Sequence, residues 1–421
     1  MNSTVHPKTS SAAPSPELMR EVETLRQKFH GFLGQGRYSE ALACCQRAVS
    51  IVPEIPGCYT DAAICCVLLS RWQEAVDNCR MALRFGPPTM STLDLLSQAY
   101  ACLGQYENAR DFGLKALDMR LGVFDGPVAF SHTPAPMPPA PSPGTRDHNV
   151  IAFSLFGELP KYCEIAILNA EARAAIYPDW TCHFYLDESV PAHVIARLNA
   201  AGGRIVRVPK WVSSWPGQMW RFLAYDTPGL HRVIFRDADS LISTREASAV
   251  SAWIESGRRF HHMRDGGSHT ELLLAGLWGC VAGSLPPMHM LLDSFCKEPL
   301  EARQFADQSF LRKLVWPYAR SSLLQHDSMF GFLDPSPFPD GPPPKDFHVG
   351  ICAAGPALSF PIEAPDGTLI DWTLVETHPV QREICSYTTS IRDNRLVLQL
   401  PLAWGHAYIA GNMQINYRSH R

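Results

Sequence analysis

Asp237 and Asp239 are separated only by Ala238 and follow the apolar run of "HRVIFRDADSLIS", residues 231–243. In an extended segment, side chains at i and i+2 leave on the same face, so the spacing predicts two carboxylates converging on one point. Two like charges brought together need a compensating partner. The alternative is a plain acidic turn capping a helix that starts near Thr244, since Asp and Ser favour helix N-termini. One carboxylate would suffice for that, and Asp237 lies too far upstream to serve.

The elements that must position this pair are legible on either side. "VIAFSLFG" (150–157), "TCHFYLD" (181–187), "RIVRVP" (204–209) and "RVIFRDADS" (232–240) read as strands. Between them, "PKYCEIAILNAEARAAIY" (160–177), "PAHVIARLNAAG" (191–202) and "QMWRFLAYD" (218–226) read as helices. Such alternation predicts an α/β domain with a mostly parallel central sheet, and ligands of such sheets bind at the carboxyl ends of the strands. The aspartates sit at such an end.

Upstream, Tyr38, Trp72 and Tyr106 recur at 34-residue steps, as do Ala41, Ala75 and Ala109, and Ala48, Ala82 and Ala116. Pro53 and Pro87 close the first two units at the same spacing. Small alanines let antiparallel helices approach, the aromatic is expected to fill the gap between them, and the proline stops the second helix. This pattern resembles the tetratricopeptide repeat over residues 21–124, after a disordered start at 1–20. Such a stack has a concave face suited to an extended peptide; a spacer or dimerisation element is the other reading. The proline-rich run at 125–148 is expected to be a semi-rigid linker between domains.

Composition narrows the function classes. Among 421 residues the net charge is −4 and the basic residues are scattered, which argues against nucleic acid as a partner. No apolar run approaches the ~18 residues that span a bilayer, and the first residues lack a secretory signal pattern, so a cytoplasmic location is expected. The 13 cysteines fall as neighbours or singly, with no C-x-x-C, and read as small buried hydrophobes.

The ordered set "FRDADSLIS", "HHMRDGGSH", "LLLAGLWG" (272–279) and "ADQSFL" (306–311) resembles the GT-A fold of metal-dependent, nucleotide-sugar glycosyltransferases of bacterial type, over residues 149–360. The resemblance implies Mn2+ or Mg2+ held by Asp237 and Asp239 against the diphosphate of a nucleotide-sugar donor. Hard cations of this kind take carboxylate oxygens and keep positions open for phosphate and water. A late histidine ligand is also implied: His326 in "LLQHDS", or His348 in "DFHVG". Arg221 matches an arginine contacting the donor, or it pairs Asp226 at the surface. Arg236 ranks lower, because alternation turns it away from Asp237. Asp307 and Gln308 match a "DQ" helix lining the sugar pocket, where Asp307 orients the donor or acts as base; a helix cap is its other reading. Asp265 would contact the donor sugar, or lie in a plain turn. Trp211, Trp215 and Trp220 either stack on a sugar or base or belong to the core.

Residues 361–421 read as strands of an extension with no chemistry named. The expected function is a glycosyltransferase acting on a protein or large glycan docked by the repeats. A non-catalytic repeat scaffold with a degenerate transferase domain is the alternative. A glycoside hydrolase fits less well, because its carboxylates stand ~5 Å or more apart across a sugar.

Overall fold

The computed structural model describes residues 15–212, 214–299, 303–378 and 380–420. The chain forms two compact units, the first comprising the residues up to Gly122 together with Gly266–Thr270, and the second Val123–Asp265 and Glu271–Arg421. Most of the expected disordered start lies outside the described residues. From Pro16, however, the chain is already helical, with Ser15 as a side-chain cap.

The first unit is six helices: α1 (Pro16–Gly34), α2 (Tyr38–Ile51), α3 (Pro56–Leu68), α4 (Trp72–Phe85), α5 (Met90–Cys102) and α6 (Tyr106–Phe124). Ala41, Ala75 and Ala109 are fully buried, which is why the 34-residue period shows in the sequence: only a methyl fits where the helices cross. The registered aromatics open α2, α4 and α6 rather than filling the gap, and Tyr106 is 64% exposed. Pro53 and Pro87 follow α2 and α4 closely, and cysteines 44, 45, 65, 66 and 79 are buried thiols in the same core.

In the second unit the order is β1 (Asn149–Leu155), α7 (Pro160–Ile176), β2 (Thr181–Leu186), α8 (Ala192–Ala200), β3 (Arg204–Arg207), β4 (Arg232–Arg236), α9 (Thr244–Ser256), β5 (Phe260–Arg264) and β6 (Trp278–Val281). Then come α10 (Met288–Cys296), α11 (Ala306–Phe310), α12 (Trp316–Ala319), β7 (Leu323–Asp327), β8 (Leu358–Pro361), β9 (Leu369–Glu376), β10 (Arg382–Ser390), β11 (Arg395–Leu398), α13 (Leu402–Ile409) and β12 (Met413–Ser419). "QMWRFLAYD" forms a 3-10 helix, Gly217–Asp226, instead of an α-helix.

The central sheet has strand order β3-β2-β1-β4-β6-β5-β7. It is mostly parallel; β6 runs antiparallel to both neighbours. β1 is buried along its whole length, as a strand covered on both faces must be. Strand order reverses between β1 and β4, and at such a reversal a crevice opens beyond the carboxyl ends.

Two expectations change here. The proline-rich run is not a free linker: Ala135 N–H donates to the Gly283 carbonyl at 2.8 Å, Arg232 donates to the Pro139 carbonyl at 2.6 Å, and Arg259 to the Ala135 carbonyl at 2.8 Å. Prolines leave their carbonyls without local partners, and arginines of the sheet domain take them. Nor is the last segment an appendage. Trp372, Leu374, Tyr387 and Ile415 share one core with Cys163, Ala166 and Ile167 of α7. Tyr387 Oη donates to the buried Glu164 at 2.6 Å. Among the described residues, no helix is long and apolar enough to cross a membrane.

Candidate functional site

β4 ends at Arg236, and the chain then turns. Ser240 N–H donates to the Asp237 carbonyl at 3.4 Å, and its hydroxyl donates there at 3.3 Å. The aspartates are therefore brought together by a turn rather than by strand alternation. Asp237 keeps half of its side chain exposed, at 50%.

Arg221 is the hub. The 3-10 helix lies along β1, where Arg221 N–H donates to Ser154 Oγ at 2.9 Å and fixes the backbone. Its guanidinium, 2% exposed, donates to the Arg236 carbonyl at 2.9 Å, to Asp237 Oδ1 at 2.5 Å and to Asp307 Oδ2 at 2.9 Å. Burial opposes its charge, but Asp237 and Asp307 together overcome that and raise its pKa above the usual range. The surface pairing with Asp226 does not occur; Asp226 instead accepts from the N–H groups of Met288 and His289, at 2.7 and 2.8 Å.

Asp307 is not a helix cap, because the cap position of α11 is Phe305. Its Oδ1 accepts from Gln308 N–H at 2.9 Å. Burial raises its carboxyl pKa, with Arg221 pulling the other way. With its amide oriented to match its neighbours, Gln308 donates to the Leu273 carbonyl and accepts from Ala275 N–H, both at 3.0 Å. Arg236, turned inward as alternation requires, pairs with Glu246 at 2.8 Å and donates to the Gly276 carbonyl at 2.8 Å. The "LLLAG" segment is thus clamped from two sides. A Cβ on Gly276 would lie 1.9 Å from Asp237 Oδ2, so only glycine lets this backbone pass the carboxylate.

Asp239 completes the pair. Its carbonyl accepts from Ala353 N–H at 2.7 Å, and Ser240 bridges Cys352 in antiparallel fashion. Burial raises the Asp239 pKa, and the charge of Asp237 adds to it, while Lys161 and the Cys352 thiol oppose. Lys161, Tyr162 and Cys352 are site residues that sequence reasoning missed. Lys161 and Tyr162 had a signal, since they open the helix that follows β1 at the same carboxyl edge; Cys352 had none.

Other expected residues lie elsewhere. His326 belongs to β7, three strand positions from β4, or roughly 14 Å at the usual spacing. It is buried, its Nδ1 lies 2.9 Å from His261 Nε2, and burial lowers its pKa to about 4. It does not join the aspartates. His348 Nδ1 lies 3.1 Å from the Val349 carbonyl, and Val349 N–H donates to Asp265 rather than to the aspartate pair. Asp265 is 1% exposed and held by Arg245 through two 2.8 Å hydrogen bonds, with Ser328 Oγ donating at 2.5 Å. It is a buried structural carboxylate, not a sugar contact. Trp215 and Trp220 are core, whereas Trp211 is 58% exposed. A cavity of about 730 Å3 bounded by Glu158, His193, Asp371 and Tyr387 contains neither aspartate of the pair.

Among the described residues, no group of three or more His, Cys, Asp and Glu side chains is placed to hold a metal ion. Two partly exposed carboxylates still fit a hard divalent cation that takes its remaining ligands from phosphate and water, as Mg2+ commonly does. The raised pKa of Asp239 beside Asp237 marks a place where added positive charge is favourable.

The tetratricopeptide repeat family matches residues 89–125. The first unit carries tetratricopeptide repeats. TPR repeat-containing thioredoxin TTL4 of Arabidopsis thaliana is 33% identical over 103 residues, 24% of this chain and 15% of that protein. Thus the chain spans about 15% of the length of that curated relative. The TPR2B domain of yeast Sti1, solved as a pHsp70 complex, is 17% identical over 25% of this chain and 83% of that one, with a TM-score of 0.24. A mutant O-GlcNAc transferase of Thermobaculum terrenum is 16% identical over 52% of this chain and 46% of that one, with a TM-score of 0.31. Likeness at that level leaves the chemistry to the site itself.

Proposed function

We propose that the second unit is a nucleotide-sugar-dependent glycosyltransferase of GT-A type, and that the repeats dock its acceptor, a protein or a large glycan. One observation carries this reading. Arg221, Asp237, Asp307, Gln308 and Gly276, from four separate segments, meet at the carboxyl end of β4 beside the reversal of strand order.

Asp237 and Asp239 would hold Mn2+ or Mg2+, which when bound supplies Lewis-acid stabilisation of a departing diphosphate. Arg221 holds Asp237 Oδ1 and Asp307 Oδ2 in place through one guanidinium. Both Asp307 oxygens already accept one hydrogen bond and retain a lone pair each, which suits them to orienting donor hydroxyls. Lys161 brings a positive charge to the Asp239 side, where a phosphate would be received.

The test is nucleotide release from a panel of nucleotide sugars with Mn2+. The intact chain should release nucleotide slowly without acceptor, and Asp237→Asn with Asp239→Asn should abolish it while the fold survives. Undiminished Mn2+-dependent nucleotide binding by that double variant would sink the reading. Run on a chain lacking residues 1–122, the same assay should keep donor hydrolysis and lose transfer; equal transfer would leave the repeats a structural element.

A further inference from the structure

The three-stranded sheet β10-β9-β12 has two edges, and they are built differently. β10 is blunted: its register shifts between Glu383 and Cys385, and it begins with the charged Arg382 and Glu383. Bulges and charges are the usual protection against edge-to-edge pairing. β12 has no bulge, and its one charged residue, Arg418, stands near its far end. It pairs β9 without a shift over seven residues, contains no proline or lysine, and exposes Gln414, Asn416, Tyr417, Arg418 and Ser419.

The ladder fixes which main-chain groups β12 presents outward. Thr377 N–H donates to the Asn412 carbonyl and His420 N–H to the Leu369 carbonyl, both at 2.9 Å. Bonded pairs alternate in an antiparallel ladder, so Gln414, Asn416 and Arg418 also direct their N–H and C=O groups to β9. Met413, Ile415, Tyr417 and Ser419 therefore aim theirs away. This outward set is symmetric about Asn416.

We infer that β12 is a self-association edge, at which two copies of this chain pair antiparallel about Asn416 into one six-stranded sheet. Met413 then bonds Ser419 of the second copy, and Ile415 bonds Tyr417. The side chains agree with that register on both faces. On the core side, Ile415 lies opposite Tyr417, whose ring is 48% exposed in the single chain. On the polar side, Gln414 lies opposite Arg418, and Asn416 opposite its own copy, where two amides satisfy each other. No like charges meet.

One strand pair is small against the ~1,200–2,000 Å2 of stable complexes, so the dimer is to be sought at high concentration. Sedimentation of the full chain from about 1 to 100 µM should show the mass rising from one copy toward two. Tyr417→Pro removes an outward N–H and leaves the β9 bonds intact, a tolerated place for proline, and should hold the chain monomeric at every concentration. Asn416→Cys provides an independent reading. Directly opposed non-bonded positions stand ~4.5 Å apart at Cα, within disulfide reach. Mild oxidation should cross-link Asn416→Cys into a dimer well beyond the level that the exposed Cys102 and Cys352 give in Gln414→Cys and in the unchanged chain. A chain monomeric throughout, a dimer that survives Tyr417→Pro, or no excess cross-linking at position 416 would each overturn the proposal.

Discussion

Arg221 shows how one buried cation organises two carboxylates from different parts of the chain, and why its environment tolerates so little change. Gly276 is the sharper probe, because its missing Cβ makes room for Asp237 Oδ2. Gly276→Ala should push the Asp237 carboxylate off Arg221 and toward the solvent that its half-exposed side leaves open, rather than disturb the fold. The expected result is a fall of about tenfold or more in Mn2+-dependent nucleotide affinity, or ~1.4 kcal/mol, with the melting temperature nearly unchanged. Calorimetry beside thermal denaturation checks both halves, and unchanged affinity would separate Gly276 from the site. At this scale the sequence was partly legible. Asp237, Asp307 and Gln308 sit at a strand end or a helix start that their neighbours announce, whereas Arg221 lies inside the 3-10 helix Gly217–Asp226 and is legible only through the resemblance. His326 also lay at an announced strand, but sequence cannot show which strands lie between two others, and β5 and β6 stand between β4 and β7. Asp265 was misread for another reason: its partner Arg245 is far enough away in sequence to hide the ion pair.

Among the elements, the alternation of strand and helix from residue 149 to 240 could be read because each element keeps one period for most of its length. The last sixty residues could not be placed, because whether a strand packs on its own domain depends on a partner surface. Here that surface is α7, whose Glu164 is completely buried and is reached by Tyr387 Oη at 2.6 Å and by Arg197 at 2.8 Å. A buried carboxylate left short of a hydrogen bond bears the desolvation penalty of the missing partner, about 1–3 kcal/mol. Tyr387→Phe removes only the hydroxyl, so it should lower unfolding free energy by about that amount while leaving the sheet's packing intact. Urea unfolding followed by tryptophan fluorescence, with Trp372 stacked on Tyr387 at 5.4 Å, measures this directly. A stability equal to that of the unchanged chain would mean that Glu164 relies on Arg197 alone and that the last strands contribute only apolar contact.

For the whole molecule, acid should be the most revealing stress, because several histidines are folded in as neutral groups. Burial lowers His183 to about 4 and His326 to about 4, and it lowers His261 well below its ordinary value of 6.5, helped by His326. Unfolded, these imidazoles regain a pKa near 6.5 and bind protons that the folded chain refuses. Between about pH 6.5 and pH 4 the unfolded state therefore binds more protons, and stability falls as the pH falls through that window. Asp239 and Asp307 act in the opposite sense, since their raised carboxyls reduce stability as pH rises from the unfolded carboxylate value through the folded one. That opposite slope starts near pH 4, the unfolded carboxylate value, so a histidine's share is read from the difference between its variant and the unchanged chain. His183 stands alone on β2, whereas His261 and His326 share a 2.9 Å contact, which makes His183 the cleaner substitution. Its Nδ1 is buried without a hydrogen-bond partner, so replacement breaks no hydrogen bond at that atom. Melting temperature measured every half unit from pH 7.5 to 4.5 should be level above about pH 7 and decline below it. His183→Phe should flatten the decline by one histidine's share, on the order of 2 kcal/mol across the window. A profile of unchanged steepness in that variant would place the acid sensitivity in the His261 and His326 pair instead.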